Sequence, residues 1–351
     1  MKKLLLSLCL FAAPALAAPL DTAREADAVF PNFRFGSGQS LPALKIHYTT
    51  LGTPHRNAKR EIDNAVLILH GTGGSGKQFF RPQFADELYG PGQPLDISRY
   101  FIILPDNIGH GASSKPSDGL RMAFPQYDYD DMVRAQYRLV TEKLGIKQLQ
   151  LILGTSMGCM HAFVWGTTYP GAAARLAPFA CNAMPIAGRN RWWRKMSVDA
   201  IKADPAWQGG NYTTPPVEGL RTADYLGLIA GANPVALQAN YPTRAAAEQA
   251  LDAAMSNRSG SADANDTIYQ LESSRTYDPS SGLEKITVPV LWINSADDFI
   301  NPPELGTAEA AARRMPKARF LLIPASAETK GHGTHTWAKF WKADLANFLA
   351  K

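Results

Sequence analysis

The sequence predicts an α/β protein, a doubly wound, mostly parallel sheet with a helical lid inserted late in the chain. Three observations carry this. Short, continuously apolar runs recur along the chain, as strands of a sheet covered on both faces require. Helical stretches alternate with them, the rhythm of strand–helix–strand crossovers. Between residues 186 and 284 that rhythm stops, and helix-like pieces take the place of strands. At 351 residues the chain fits one large α/β domain with an insertion as well as it fits two domains. Its 45% hydrophobic and 19% charged composition excludes a largely disordered, collagen-like or coiled-coil chain.

The first element is a leader, MKKLLLSLCLFAAPALA, over residues 1–17. Lys2 and Lys3 form a basic start, residues 4–13 an apolar stretch, and Ala15-Leu16-Ala17 a small-x-small cleavage site. Pro14 interrupts the apolar run well short of the ~20 residues a spanning helix needs. The expectation is a cleaved signal peptide and a periplasmic or secreted protein, with no membrane association after cleavage. The formal charge of +5 then falls to +3, with 34 basic against 31 acidic residues, and no long basic run. Nucleic acid is therefore not an expected partner. Cleavage also removes Cys9 and leaves Cys159 and Cys181. An exported chain either joins such a pair or buries the two thiols separately; separate burial is the favoured reading. No CxxC or zinc-type spacing occurs.

Residues 18–45 read as a lead-in with a hairpin. Strands are expected at 64–70 (NAVLILH), 100–105 (YFIILP), 149–154 (LQLILG), 177–181 (APFAC), 288–294 (VPVLWIN) and 318–323 (ARFLLI). Helices are expected at 130–144, 157–168, 303–315 and 336–349. The core thus comprises residues 18–185 and 285–351. The insertion, 186–284, contains three of the seven tryptophans and a helical piece at 244–255. It is expected to cap the carboxyl edge of the sheet, where open α/β sheets bind ligands.

Gly154-Thr155-Ser156-Met157-Gly158 follows an apolar strand and opens a helix, the context that a GxSxG elbow needs to hold a serine hydroxyl out at a strand end. A hydroxyl is a weak nucleophile and requires a base oriented by an acid. After the 288–294 strand come Asp297 and Asp298; the three residues between Asp298 and Pro302 select Asp298, with Asp297 as the fallback. After the last strand come His332 and His335; His332, between two glycines, is the better base, and His335 reads as a cap or packing residue. A metal held by the two histidines is disfavoured because no carboxylate or cysteine accompanies them. The His70-Gly71-Thr72-Gly73-Gly74 loop follows the first strong strand, and the N–H groups of Thr72 and Met157 are the expected oxyanion donors. The same loop, GTGGSGK at 71–77, matches seven places of a phosphate-cradling loop. Gln78 stands where the magnesium-binding hydroxyl belongs, which argues against a nucleotide site. The expected chemistry needs no metal and no organic cofactor.

On these residues the chain resembles the α/β-hydrolase fold and, within it, the homoserine O-acetyltransferase family. Similar segments are GTSMGCMHAFVWGTTYP at 154–170, FPQYDYDDMVRAQYRLVTEKLGI at 124–146 and AIKADPAWQGGNYTTPPVEGL at 200–220. The resemblance implies Ser156, Asp298 and His332 as a triad under a helical lid, and a lid-mediated homodimer. The chain departs from the family in three ways. The loop at 106–113, DNIGHGAS, looks like the GHGxS loop of general ester hydrolases. Val198 lies where the family's lid carries an arginine expected to meet the homoserine carboxylate, with Arg189, Arg191 and Arg194 nearby. The leader would separate the protein from cytoplasmic acetyl-CoA. The expected activity is therefore that of an exported serine hydrolase acting on a small-molecule carboxylic ester or related acyl substrate. Acetyl transfer to homoserine, or a non-catalytic binding protein on the same scaffold, are the alternatives.

Overall fold

A computed structural model describes residues 22–256 and 262–351. The expected leader at 1–17 lies outside the described residues. Eight strands form one sheet: β1 (Arg24–Arg34), β2 (Ser40–Leu51), β3 (Ala65–Leu69), β4 (Phe101–Pro105), β5 (Leu151–Thr155), β6 (Leu176–Phe179), β7 (Val290–Ser295) and β8 (Ala318–Ile323). Their order is β1-β2-β4-β3-β5-β6-β7-β8. The β1–β2 hairpin and the β2–β4 pair are antiparallel; every other pair is parallel.

The continuous apolar runs are explained by burial on both faces. Every residue of β3, β4, β5 and β6 is buried. One core, containing Leu67, Ile152, Phe163 and Trp292, fills one face of the sheet. A second, with Val66, Ile68, Leu153 and Trp341, fills the other. At the edge, β8 is only half-buried.

The helices are α1 (Pro82–Leu88), α2 (Tyr129–Arg138), α3 (Met157–Thr168), α4 (Gly188–Ala203), α5 (Val217–Gly231), α6 (Pro234–Asn240), α7 (Arg244–Ser256), α8 (Ala264–Glu272), α9 (Thr307–Ala312) and α10 (Lys342–Leu349). A capping box between Asp128 and Asp131 starts α2, which runs into a wider π turn over Leu139–Lys143. Two expected helices are shorter than the sequence pattern implies. Gly306 adopts a left-handed φ of 60° and delays α9 to Thr307. The Gly331–Thr336 and Ala338–Phe340 segments wind as 3-10 turns, so α10 starts only at Lys342. Helices α4 to α8 fall between β6 and β7. Val198, Ile201, Leu220, Ala264, Ile268 and Leu271 give them a small core of their own.

The reading of Cys159 and Cys181 as separate thiols is corrected: the two form a disulfide. They lie 22 residues apart, and the packing of α3 beneath the end of β6 brings their Cα atoms to 5.9 Å, within the span a disulfide bridges. Among the described residues no helix is long and apolar enough to cross a membrane.

Candidate active site

Ser156 sits between β5 and α3 with φ 55° and ψ −109°, in the left-handed region a side chain rarely adopts. Its surroundings impose that turn. The Ser156 N–H donates to the Phe179 carbonyl of β6 at 2.9 Å, and the Gly158 N–H to the His70 carbonyl after β3 at 3.0 Å. No side chain fits on either flank. A Cβ on Gly154 would lie 1.9 Å from the Gly158 oxygen, and one on Gly158 would lie 2.1 Å from the Leu69 oxygen. The serine is thus held out over the carboxyl end of β5.

Ser156 Oγ donates to His332 Nε2 at 2.8 Å, and His332 Nδ1 donates to Asp298 Oδ2 at 2.8 Å. Asp298 is fully buried. Its Oδ1 accepts the N–H groups of Ile300 at 2.8 Å and Asn301 at 3.1 Å, while Oδ2 also accepts from Asn301 Nδ2 at 3.0 Å. Burial alone would raise its pKa, but the adjacent His332 charge and the hydrogen bonds from His332 and Asn301 outweigh it and hold the carboxyl below its usual value. Asp297 faces the other way: its Oδ2 accepts from Thr329 Oγ1 at 2.8 Å and from the Gly331 N–H at 3.0 Å. It braces the loop that carries His332. His335 donates from Nδ1 to the His332 carbonyl at 2.5 Å, and burial lowers its pKa to about 3. It is a neutral packing partner, 5.0 Å from the His332 ring.

The loop after β3 closes the opposite side. A Cβ on Gly71 would touch Ser156 Cβ at 3.3 Å, so glycine lets this loop approach the serine. Gln78 ties it down, accepting the Gly71 N–H at 3.4 Å and donating to Thr155 Oγ1 at 3.1 Å. Neither the Thr72 nor the Met157 N–H has an acceptor among the described residues. Lys77 of the phosphate-loop-like run points outward to Glu25 at 3.1 Å, and the Gly76 N–H is taken by Asp106 Oδ1 at 2.8 Å. That run serves as a structural turn beside the serine.

Ser156, His332, Thr72 and Gly71 line a cavity of about 740 Å³ whose far wall is built by α4, α5 and α8. Trp193 and Arg194 of α4 face it, whereas Trp192 is exposed. Val198 is packed in the core of the inserted helices. The three nearby arginines differ. Arg189 donates to the Phe299 carbonyl at 2.6 Å and stacks 3.4 Å over its ring. Arg191 pairs with Glu272 at 2.7 Å. Arg194 is buried, with Nε donating to Asn190 Oδ1 at 3.1 Å and Nη1 to Ser274 Oγ at 3.5 Å. It has no carboxylate partner among the described residues. Burial lowers its pKa; the neighbouring Tyr129 hydroxyl opposes this, and Arg191 adds to it. Around Arg194, the Tyr129 hydroxyl lies beside Thr72, Ser274 and the guanidinium itself, and Nη1 of Arg191 is buried without a hydrogen-bond partner. The sequence did not reveal this pocket, nor Asn301 as the support of Asp298, although an aspartate in a turn commonly accepts the N–H two residues on, as Asp298 does from Ile300.

The sequence profile described as the alpha/beta hydrolase fold matches residues 64–329. Homoserine O-acetyltransferase of Pelobacter propionicus is 32% identical over 314 residues, which cover 77% of this chain and 81% of the relative. Among solved structures, esterase E22 superposes with a TM-score of 0.81 at 20% identity, covering 93% of this chain and all of that one. Homoserine O-acetyltransferase from Bacillus anthracis superposes with a TM-score of 0.82 at 21% identity, covering 94% and 98%. By profile and sequence, and with a fold to match, the chain belongs to the α/β-hydrolase family, as an enzyme related to homoserine O-acetyltransferases.

Proposed function

We propose that the protein is an exported serine hydrolase that cleaves a carboxylic ester or related acyl compound. The observation that supports this reading best is the continuous relay from Ser156 Oγ through His332 to buried Asp298, at 2.8 Å for each link, opening into the cavity. In this reading Ser156 Oγ attacks the acyl carbonyl carbon while His332 Nε2 takes its proton. Asp298 holds the imidazole through Nδ1–H and stabilises the imidazolium. The Thr72 and Met157 N–H groups receive the oxyanion of the tetrahedral intermediate. The intermediate collapses, the C–O bond to the alcohol breaks, and the leaving oxygen takes the proton from Nε2. Water, deprotonated by the same nitrogen, then attacks the acyl-enzyme; collapse frees the acid and returns the proton to Ser156.

The leader, residues 1–17, supports the export part of the reading. Arg194, buried in the cavity wall with hydrogen bonds to Asn190 and Ser274 but no carboxylate, supports a substrate that places an anionic group beside it, away from Asp224, Asp263 and Asp266 in the same lining. The exposed apolar side chains Trp192, Met196 and Ile229 on the inserted helices are where we place a homodimer contact, which light scattering would test.

A fluorophosphonate probe is expected to label Ser156 in the folded protein, and a panel of short esters to be cleaved at rates that Ser156→Ala abolishes. An unlabelled serine in folded protein would sink the catalytic reading and favour a binding protein. The 32% identity to a homoserine O-acetyltransferase supports a second reading, acetyl transfer to a hydroxyl. It is excluded if acetyl-CoA and homoserine release thiol no faster with the wild type than with Ser156→Ala.

A further inference from the structure

The reactive cavity has a neighbour. A second cavity of about 590 Å³ lies across the loop that follows β7. Its walls are mainly aliphatic, with Met160, Met184, Ile186, Pro302 and Leu305 among them. Among the described residues that line either cavity, Ile300 alone lines both. Ile300 therefore lies where the space above Ser156 adjoins an apolar pocket that the chemistry described so far does not use, and the bonded pair Asn190 and Arg194, one in each lining, flanks the same boundary.

That partition is stiff. The Ile300 N–H is bonded to Asp298 Oδ1 at 2.8 Å, so its Cα is fixed to the acid that holds His332. On one side, Phe299 is clamped by Arg189, which bonds its carbonyl at 2.6 Å and covers its ring. On the other, Asn301 Nδ2 donates to the Ala180 carbonyl at 3.1 Å, and Asn301 Oδ1 accepts from Asn182 Nδ2 at 3.2 Å. The loop cannot swing aside without dismantling the support of Asp298. A β-branched isoleucine also has few rotamers to retreat into.

We propose that Ile300 sets the chain-length limit of the substrate: its side chain closes the reactive cavity against an apolar pocket shaped for an aliphatic chain. The inference rests on the reading of Ser156 as the nucleophile. Along the path toward Ile300 the wild type would bury only a short chain, because a longer one meets that side chain first. Removing the side chain would join the two spaces, and each methylene that then becomes buried is worth about fourfold in binding.

The test is the ratio of kcat/KM on p-nitrophenyl octanoate to that on p-nitrophenyl acetate. It is measured for the wild type, Ile300→Ala, Ile300→Val and the double variant Ile300→Ala/Leu305→Trp. Octyl and ethyl acetate, followed by acid release, show whether the pocket takes the acyl or the alcohol arm. The wild-type ratio should be well below one. Ile300→Ala should raise it about 10-fold or more in one series; Ile300→Val, which keeps most of the packing, should move it less in the same direction. Tryptophan at 305, filling the second cavity, should cancel the gain. A wild-type ratio above one, or an unchanged ratio in both series for the folded variants, overturns the proposal while acetate turnover leaves the nucleophile reading intact. No Ser156-dependent turnover of any ester overturns both.

Discussion

Asp297 and Asp298 share a loop, and only Asp298 is hydrogen-bonded to the His332 side chain. The peptide between them turns Asp298 into the protein, against His332 and the amides of Ile300 and Asn301, and leaves Asp297 to hold Thr329 and Gly331. Asp298→Asn keeps the shape but reverses the hydrogen-bond demand on Nδ1 and removes the charge that stabilises the imidazolium. We expect kcat on a short ester to fall about 10³- to 10⁴-fold with unchanged circular dichroism. Asp297→Asn retains one carbonyl acceptor for the loop, and a loss below about 10-fold is expected from its indirect role. Equal losses in the two variants would contradict this division. That Asp298 rather than Asp297 meets His332 was legible in sequence because the distance to Pro302 is a local matter. What Asp297 does was not, since Thr329 and Gly331 reach it from another strand's loop, 32 and 34 residues on.

At the scale of elements, the strands were the most legible parts because burial on both faces leaves a continuous apolar run that no surface helix shows. The elbow was legible for a related reason: two backbone contacts exclude any side chain at Gly154 and Gly158, so composition records geometry. The inserted helices were legible only as helices. Which face of α4 meets the cavity depends on how it packs on α5 and α8, and the match to a known family pointed to Val198, which is apolar and packed away. The cation of α4 that faces the cavity is Arg194, about one turn earlier. Its charge is buried without a carboxylate, and such a group lowers stability unless a ligand compensates it. Arg194→Met, similar in length and apolar, is therefore expected to raise the melting temperature while reducing kcat/KM for an ester bearing a carboxylate more than for its neutral analogue. A variant that melts lower and loses both substrates equally would assign Arg194 to packing alone.

Across the whole molecule, two features tie stability to conditions. The first is a set of buried imidazoles. Burial lowers His70 to about 4; burial, with His70 nearby, lowers His110 to about 3; His335 is also lowered to about 3, and His161 lies well below its ordinary value for the same reason. The folded chain keeps these rings neutral down to about pH 4, whereas the unfolded chain protonates them below about 6.5. Between those limits unfolding takes up protons, so stability is full above about pH 6.5 and falls as the pH drops. The urea midpoint should be level from pH 7.5 to 8.5 and decline from pH 7 to 5; a flat profile over the lower range would refute this. The second feature is the Cys159–Cys181 bond, which joins the helix behind Ser156 to the chain leaving β6. Sequence left this pairing undecided because it depends on the packing of α3 against β6, a long-range result. For a separation of 22 residues the bond restricts the unfolded chain by about 3 kcal/mol, and the Cys159→Ala/Cys181→Ala variant should lose about that much unfolding free energy. A bond of this kind persists in an oxidising compartment and is reduced in the cytoplasm, so it also tests export. Both sulfurs are buried, so thiols must be counted after unfolding without a reductant. Protein recovered from its native host should then show no free thiol and begin at Ala18. One thiol would mean that Cys9 and the leader remain, and two or more would mean that the bond does not form and that the exported reading is wrong.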